Sequence, residues 1–231
     1  MAEEEVPGPI ARVTTLIDDS AGSEQLVQRA YRLPPGTSVH LGHSDGEDVV
    51  YVARGSGRMW KGEQAHEMRP GAAAAVPRGA VALLTNLGAG EMVVVSVLSP
   101  PPSEEVRHAE IRDAPLAVLH EDDQEDLPAG PDRHFRILME PRHGALNVTQ
   151  FVGYIERSRA PLHTHTYEEA IYILDGGGVV HIDDSETPIR AGTSIFLPSG
   201  TPHCLENRSD GVLKLLGVFS PPGSPAGNME A

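Results

Sequence analysis

The strongest constraint on the fold is an internal repeat, because the second half of the chain reproduces the turn residues of the first. A shift of 121 residues aligns the two halves without a gap from Asp48 to Pro101. Gly and Pro favour turns for conformational reasons, so this repeat indicates a shared plan of turns and predicts two similar domains. The repeated pairs are Tyr51 and Tyr172, Gly55 and Gly176, Gly57 and Gly178, Gly71 and Gly192, Pro77 and Pro198, Gly79 and Gly200, and Asn86 and Asn207.

The segments between the turns are typical of β-strands. They are short alternating or apolar runs of four to eight residues, as at 48–53, 92–98, 169–174 and 192–197. The chain also contains 24 Gly and 20 Pro, which suits a turn-rich fold better than a helical one. The sequence therefore predicts an all-β chain that forms a sandwich or barrel in each half.

The composition of the remaining segments predicts the domain limits. We expect an N-terminal domain at 10–102 and a C-terminal domain at 133–222. Residues 103–132 are acidic and rich in Pro and Gly, which predicts a solvated linker. We expect residues 1–9 to form a flexible N-terminal arm and residues 223–231 a flexible tail.

Charge and hydropathy exclude several classes of partner. A formal net charge of −15 disfavours nucleic acid, because phosphate binding needs clustered Lys and Arg. The longest apolar run, Met92–Leu98, is too short to cross a membrane. Residues 1–5 are acidic and do not resemble a signal peptide. The lone cysteine, Cys204, cannot form an intrachain disulfide, so we expect a cytoplasmic protein.

A group of metal-ligating side chains lies in the second half. His163 and His165 are two positions apart, so on a strand they face the same side. Glu169 follows across a short bend, and His203 comes just after a Pro-Ser-Gly turn. Three imidazoles and one carboxylate on one inward face would form a pocket for a divalent metal ion.

These residues resemble the two cupin motifs. The first motif is an HxH followed by three or four residues, a Glu and later a Gly, and it matches 157–176 except that Arg157 stands where the family usually has Gly. The second motif, Gly, five residues, Pro-x-Gly, two residues, His, three residues and Asn, matches 192–207 throughout. With the repeat, the chain resembles a bicupin. The resemblance implies two tandem cupin (jelly-roll) β-barrel domains and a metal held by His163, His165, Glu169 and His203.

The same alignment shows that the N-terminal half has a degenerate metal site. His43 corresponds to His165 and Asp48 to Glu169, but Leu41 and Ala82 replace the other two histidines. One imidazole and one carboxylate would bind metal weakly. We therefore expect a metal-free N-terminal cupin that packs against the other barrel, or covers it and supplies a wall of its pocket.

The resemblance also indicates the chemistry. We expect one divalent metal ion per chain, Fe(II) or Mn(II) first, with Ni, Co or Zn as alternatives. The first hypothesis is a metal-dependent oxidoreductase of the dioxygenase type, acting on a small oxygenated molecule that is anionic or enolic. The alternatives are a non-redox isomerase, lyase or hydrolase, and a non-enzymatic small-molecule-binding cupin. A homodimer is left open.

The sequence assigns no catalytic residue, and its two candidates for one are Tyr167 and Arg159. Tyr167 lies in the bend near the metal ligands and could donate a hydrogen bond, and Arg159, like Arg142, could attract an anion. Glu168 precedes a ligand and should point outward into solvent.

Four further residues have expected structural roles. We interpret Cys204 as a small buried hydrophobic residue that faces away from the metal. Asn207 should support a strand end. Phe196 and Ile171 are candidates for the pocket wall or for the core.

Overall fold

The computed structural model describes residues 10–100, 116–226 and 229–230. The predicted arm at 1–9 and the first part of the predicted linker, 103–115, lie outside these residues. The described chain consists of β-strands joined by turns and three short 3-10 helices, Asp19–Ala21, Glu121–Asp123 and Pro141–His143. The prediction of an all-β chain is confirmed.

The strands follow one another in two comparable sets. The first set comprises β1 (Arg12–Ile17), β2 (Val27–Leu33), β3 (Ser38–Leu41), β4 (Glu47–Arg54), β5 (Gly57–Lys61), β6 (Gln64–Met68), β7 (Ala72–Val76), β8 (Ala82–Asn86), β9 (Met92–Ser99) and β10 (Ala117–His120). The second set comprises β11 (Leu127–Gly130), β12 (Arg133–Met139), β13 (Thr149–Ile155), β14 (His163–Thr164), β15 (Glu168–Asp175), β16 (Gly177–Ile182), β17 (Ser185–Arg190), β18 (Ser194–Leu197), β19 (His203–Glu206), β20 (Leu213–Ser220) and β21 (Met229–Glu230).

Each set forms a barrel from two antiparallel sheets. In the N-terminal barrel the sheet orders are β1-β2-β9-β4-β7-β10 and β3-β8-β5-β6. In the C-terminal barrel they are β11-β12-β13-β20-β15-β18 and β17-β16-β19-β14-β21. Strand β4 therefore has the same neighbours as β15, and β9 the same as β20, as the repeat requires.

Three apolar clusters account for the packing. One fills the N-terminal barrel around Leu41, Met59 and Leu84, and one fills the C-terminal barrel around Phe135, Phe151 and Phe219. The third lies between the two six-stranded sheets and takes buried residues from both halves. Because side chains alternate along a strand, these sheets bury one face inside their own barrel and the other against the partner barrel.

The prediction that 103–132 is a solvated linker is wrong for the part of it that the structure describes, 116–132. Strand β10 pairs with β7 of the N-terminal barrel, and β11 pairs with β12 of the C-terminal barrel. Between them Glu121 is buried and accepts hydrogen bonds from Tyr51 (3.0 Å) and Lys214 (2.7 Å), one from each barrel. The acidic composition of the segment does not predict these contacts of Glu121, because composition alone does not show which carboxylate pairs with a cation.

Glu168 is a second correction. It points away from the metal ligands as expected, but it is 8% exposed, not solvated. Its carboxylate accepts hydrogen bonds from the backbone N–H groups of Glu24 (2.9 Å) and Gln25 (3.0 Å) and from Ser23 Oγ (2.9 Å). The N-terminal barrel covers the outward face of β15, so Glu168 is buried and not exposed as the sequence suggests.

The repeat makes this contact reciprocal. Glu47, the counterpart of Glu168, accepts hydrogen bonds from the backbone N–H groups of Leu146 (2.8 Å) and Asn147 (2.7 Å) in the other barrel. Ser99 and Ser220, which also correspond, meet each other at 3.0 Å. The two barrels therefore pack with approximate two-fold symmetry.

The symmetry fails at one buried pair. Gln28 Oε1 accepts a hydrogen bond from Ser194 Oγ across the interface, although Gln28 Nε2 has no partner. Gln150, at the equivalent position on β13, is fully buried, and neither its Nε2 nor its Oε1 has a partner. The counterpart of Ser194 is Ala73, which has no hydroxyl. Gln150 therefore lacks a partner because Ala73 has no hydroxyl to take the place that Ser194 has beside Gln28.

We predict that Gln150→Met raises the free energy of unfolding by about 1 kcal/mol, because it removes a desolvated, unpaired amide at nearly constant volume. The matched change Gln28→Met should lower it by about 1 kcal/mol, because the hydrogen bond from Ser194 is lost although an unpaired Nε2 is removed as well. Urea unfolding of both variants measures the two signs. Equal destabilisation by both would contradict the assignment of Gln150 as unsatisfied.

Candidate metal centre

Strands of the C-terminal barrel bring the predicted ligands together. His163 lies on β14 directly opposite His203, the first residue of β19. His165 follows two residues after His163, and Glu169 is the second residue of β15. The period-two spacing and the turn before β19 thus place all four side chains on the interior face of one barrel.

The four side chains converge without hydrogen bonding to one another. Glu169 Oε2 is 3.5 Å from His165 Nε2 and 3.6 Å from His203 Nε2. One ligating nitrogen from each of the three histidines lies within 4.8 Å of the others. His165, Glu169 and His203 are at most 5% exposed.

Backbone carbonyls fix the tautomers of two histidines. His163 Nδ1 is 2.9 Å from the carbonyl oxygen of Pro161, and His203 Nδ1 is 2.8 Å from that of Thr201. A carbonyl can only accept, so each Nδ1 carries the proton and each Nε2 keeps its lone pair for the interior. This arrangement of the outer nitrogen is typical of metal-binding histidines.

Burial keeps these imidazoles neutral. Loss of hydration lowers the pKa of His163 to about 4, with smaller effects in the same direction from His203 and His165. Burial also lowers the pKa of His203, against the opposing effect of Glu169. Neutral imidazole is the form that binds a metal ion.

The residues fit a divalent ion. Metal–ligand bonds of about 2.0–2.2 Å place neighbouring ligand atoms about 3–3.5 Å apart, which is close to the spacing around Glu169. A buried carboxylate facing three imidazole rings without a hydrogen bond is costly unless a cation joins them.

A cavity of about 90 Å³ opens beside this cluster. Its wall is mostly apolar and is built on the barrel interior, with contributions from Phe135, Phe151, Ile171 and Phe219. The described residues that line it all lie between Ala129 and Pro225. The expectation that the N-terminal barrel supplies a wall is therefore wrong.

Two segments with unexpected roles supply walls instead. Ala129 comes from β11, inside the predicted linker, and Pro225 comes from the predicted flexible tail. Tail strand β21 pairs with β14 at His163 and Thr164. The part of 223–231 that the structure describes therefore packs beside the site, because β14 offers it a free edge.

A family model described as Cupin domain matches residues 30–98 and 151–219, together more than half of the chain. The chain belongs to the cupin family. Its two matched regions fall on the two barrels, so the prediction of two tandem cupin domains is confirmed.

Curated relatives match less than a third of this cupin. An uncharacterised protein of Methanocaldococcus jannaschii is 40% identical over 68 residues, which cover 29% of the chain and 54% of the relative. An oxalate-binding protein of Thermotoga maritima is 42% identical over 63 residues, which cover 27% of the chain and 52% of the relative. The chain thus spans about half the length of these relatives.

The two-barrel arrangement also occurs in solved structures. A structure of Bacillus subtilis oxalate decarboxylase, described by its Mn(II) centres, aligns with a TM-score of 0.72 at 16% identity and covers 93% of this chain and 73% of that one. At this identity the likeness shows the fold. Within the described residues, no helix is long and apolar enough to cross a membrane.

The two candidates for substrate contact lie outside the cavity lining. Tyr167 stacks on the His165 ring, with centroids 4.7 Å apart, and its hydroxyl donates to the carbonyl of Ser224. Arg159 is exposed, and its neighbour Ala160 faces the cavity instead. Tyr167 therefore supports a ligand and the tail, and its hydroxyl is already used.

The other side chains have the following places. Cys204 is fully buried, as expected, and Asn207 holds the strand end by donating to the carbonyls of Ile155 (2.9 Å) and Gly211 (2.6 Å). Ile171 lines the cavity, whereas Phe196 packs in the cluster between the barrels. Arg142 is exposed and pairs with Glu140.

Sequence reasoning missed Arg133, which also lines the cavity. It shares the alternation of β12 with Phe135, and that pattern could have placed it on the inner face.

The degenerate site of the N-terminal barrel is filled by protein. Leu41 and Ala82 are buried in its core. Asp48 accepts hydrogen bonds from Ser96 Oγ and from the backbone N–H of Gly42 (3.1 Å), so its oxygens are occupied. These contacts support the prediction of a metal-free N-terminal cupin.

Asp48 generates a pH prediction. Its burial raises the carboxyl pKa to about 6, with opposing effects from Ser96, Gly42 and Arg29. The folded state holds the proton more tightly than the unfolded state, so this group's stabilisation is complete below about pH 4 and is lost as pH rises to about 6. Between pH 4.5 and 7.5, Asp48→Asn should therefore gain stability relative to the parent, by about 2 kcal/mol. Parallel curves of unfolding free energy for the two proteins would contradict this.

We predict that chelation lowers the melting temperature of the parent protein by about 5–10 °C, relative to protein with metal at about 100 times Kd. His165→Ala should lose the bound metal and this response. The matched variant His43→Ala, at the equivalent place in the other barrel, should keep both. Metal analysis and thermal unfolding measure both effects. Loss of metal in His43→Ala but not in His165→Ala would show that the site lies in the N-terminal barrel and would contradict the prediction.

Proposed function

We propose that this cupin binds one divalent metal ion at His163, His165, Glu169 and His203 and acts as a metal-dependent oxidoreductase of the dioxygenase type on a small oxygenated anion. The observation that carries the proposal is the buried, mutually unpaired set of ligands beside a small cavity. Three neutral imidazoles and one carboxylate leave a divalent ion with a net charge of about +1, which favours an anionic ligand.

The size of the cavity limits the ligand. Since one water occupies about 30 Å³ in the liquid, the cavity of about 90 Å³ has room for roughly three waters. That is the space of a molecule with few heavy atoms. The similarity to an oxalate-binding protein and to an oxalate decarboxylase supports a small carboxylate of this kind.

The lining contains two side chains that could transfer protons, His134 and Tyr154. Among the described residues around the cavity, Glu169 is the only carboxylate, and it serves as a ligand. No Cys, Asp or Lys of the described chain lines the cavity. An isomerase, lyase or hydrolase would need a general acid or base in reach of the substrate, and His134 or Tyr154 could serve as one, so this alternative stays open.

The chain's own residues would perform three tasks. The four ligands hold the ion, and the carbonyls of Pro161 and Thr201 hold two of the imidazole rings in place. The ring of Tyr167 supports His165 from the side. The phenylalanine walls keep water away from the reacting molecule. When bound, the metal supplies a Lewis acid and a redox centre for substrate and dioxygen.

The ligand set suits Fe(II) or Mn(II), with Ni, Co and Zn as alternatives. Manganese gains support from the decarboxylase with Mn(II) centres. The homodimer and the cytoplasmic location stay predictions.

A second function, binding without turnover, has a specific observation in its favour. The relative from Thermotoga maritima is named for binding oxalate, and it matches this chain at 42% identity over 63 residues. The same metal site and cavity would serve such a protein. The two functions differ in whether dioxygen is consumed.

We predict that protein loaded with Fe(II) or Mn(II) consumes dioxygen together with a small carboxylate, tested with oxalate, glycolate, glyoxylate and pyruvate in an oxygen electrode. His203→Ala should lose this activity, and His43→Ala should retain it. Calorimetric binding of a carboxylate without oxygen uptake or product would support the binding function instead. Metal-loaded protein that neither binds nor converts any of the four would contradict both.

A further inference from the structure

Arg133 is a cationic side chain at the cavity that no part of the proposed function uses. It is the first residue of β12 and lies two positions before Phe135, so both share the face that looks into the barrel. In the ladder between β12 and β13 it stands opposite Ile155, which also packs in the barrel interior. Arg133 is half-buried and lines the cavity together with the metal ligands.

The guanidinium of Arg133 has no partner in the part of the chain that the structure describes. Arg136, on the opposite face of β12, shows the usual alternative, because it forms a two-pronged ion pair with Asp126 at 2.6 and 3.0 Å. Arg133 has no carboxylate or other acceptor of this kind among the described residues. A half-buried guanidinium with five unused donors is suited to a carboxylate from outside the chain.

The hairpin before β12 leaves room for this side chain. Gly130 pairs with Arg133 at an irregular position of the ladder, and its φ of 152° is one that favours glycine. A Cβ atom at Gly130 would lie 2.7 Å from Arg133 Nη2. The guanidinium therefore rests against bare backbone at the hairpin.

Charge explains why one arginine would matter here. The chain carries a formal net charge of −15, so its overall field does not attract anions. Screening confines each charge to about 8 Å at physiological salt, so groups inside the cavity decide what binds. With the ion and Glu169 contributing about +1, Arg133 adds a second positive charge at a different point of the same cavity.

We propose that Arg133 binds one carboxylate of a ligand whose other carboxylate or oxyanion is held at the metal centre, and so selects small dianions over monocarboxylates. This rests on the proposed function, because it assigns the substrate class of the same site. A dicarboxylate of suitable length would be held at both ends, whereas a monocarboxylate would engage the metal alone.

The test is a calorimetric titration of metal-loaded protein with acetate and with a dicarboxylate series, oxalate, malonate, succinate and glutarate. For the tightest dicarboxylate, Arg133→Gln should weaken binding by about 10- to 100-fold, the usual effect of losing hydrogen bonds to a charged group. The affinity for acetate should change by less than about threefold. Arg133→Lys should recover part of the affinity, since an ammonium keeps the charge but loses the two-pronged geometry.

Arg12→Gln is the control, because Arg12 lies on β1 of the N-terminal barrel, is exposed and does not line the cavity. It should leave every affinity unchanged. Metal content and the melting temperature of each variant show whether the site is still assembled. If the parent binds a dicarboxylate and Arg133→Gln binds it equally well, the role of Arg133 is wrong while the metal site stands. If the parent binds metal but neither class of carboxylate, both proposals are overturned.

Discussion

The structure depends on strand β15 being buried on both faces. Glu168 turns outward and accepts three hydrogen bonds from the segment 23–25 of the other barrel, whereas Glu169 turns inward to the histidines. Hydrogen bonds to a charged group contribute about 1.5–3 kcal/mol each, so this contact fixes the start of the strand firmly. The packing of the barrels and the position of a metal ligand are thus set by adjacent residues of one strand.

The repeat explains why the two barrels are similar in packing but different in use. Glu47 and Glu168 make reciprocal contacts, and Ser99 meets Ser220 near the symmetry axis. The interior of the N-terminal barrel is closed by apolar residues, and Asp48 is satisfied by protein donors. The interior of the C-terminal barrel keeps its cavity. We infer that the first barrel supports the second by covering the outer face of its main sheet.

The sequence predicts the architecture well because its signals are local. Turn residues recur at a fixed spacing, and alternation along short strands places His163 and His165 on one face. What it could not predict depends on contacts between distant segments. The sequence predicted solvent exposure for Glu168 and for the acidic linker, and both predictions were wrong because the hydrogen-bond partners are distant in sequence. Ser23 is 145 residues from Glu168, and Tyr51 is 70 residues from Glu121 in the linker. The walls supplied by Ala129 and Pro225 were missed for the same reason.

The central claim is a single metal centre in the C-terminal barrel. Its most direct test is anomalous diffraction from crystals of the metal-loaded protein, collected at the absorption edge of the bound metal. We expect one strong peak per chain within bonding distance of His163, His165, Glu169 and His203, and none near His43 and Asp48. A peak in the N-terminal barrel, or full loading with metal bound only elsewhere on the surface, would contradict the account.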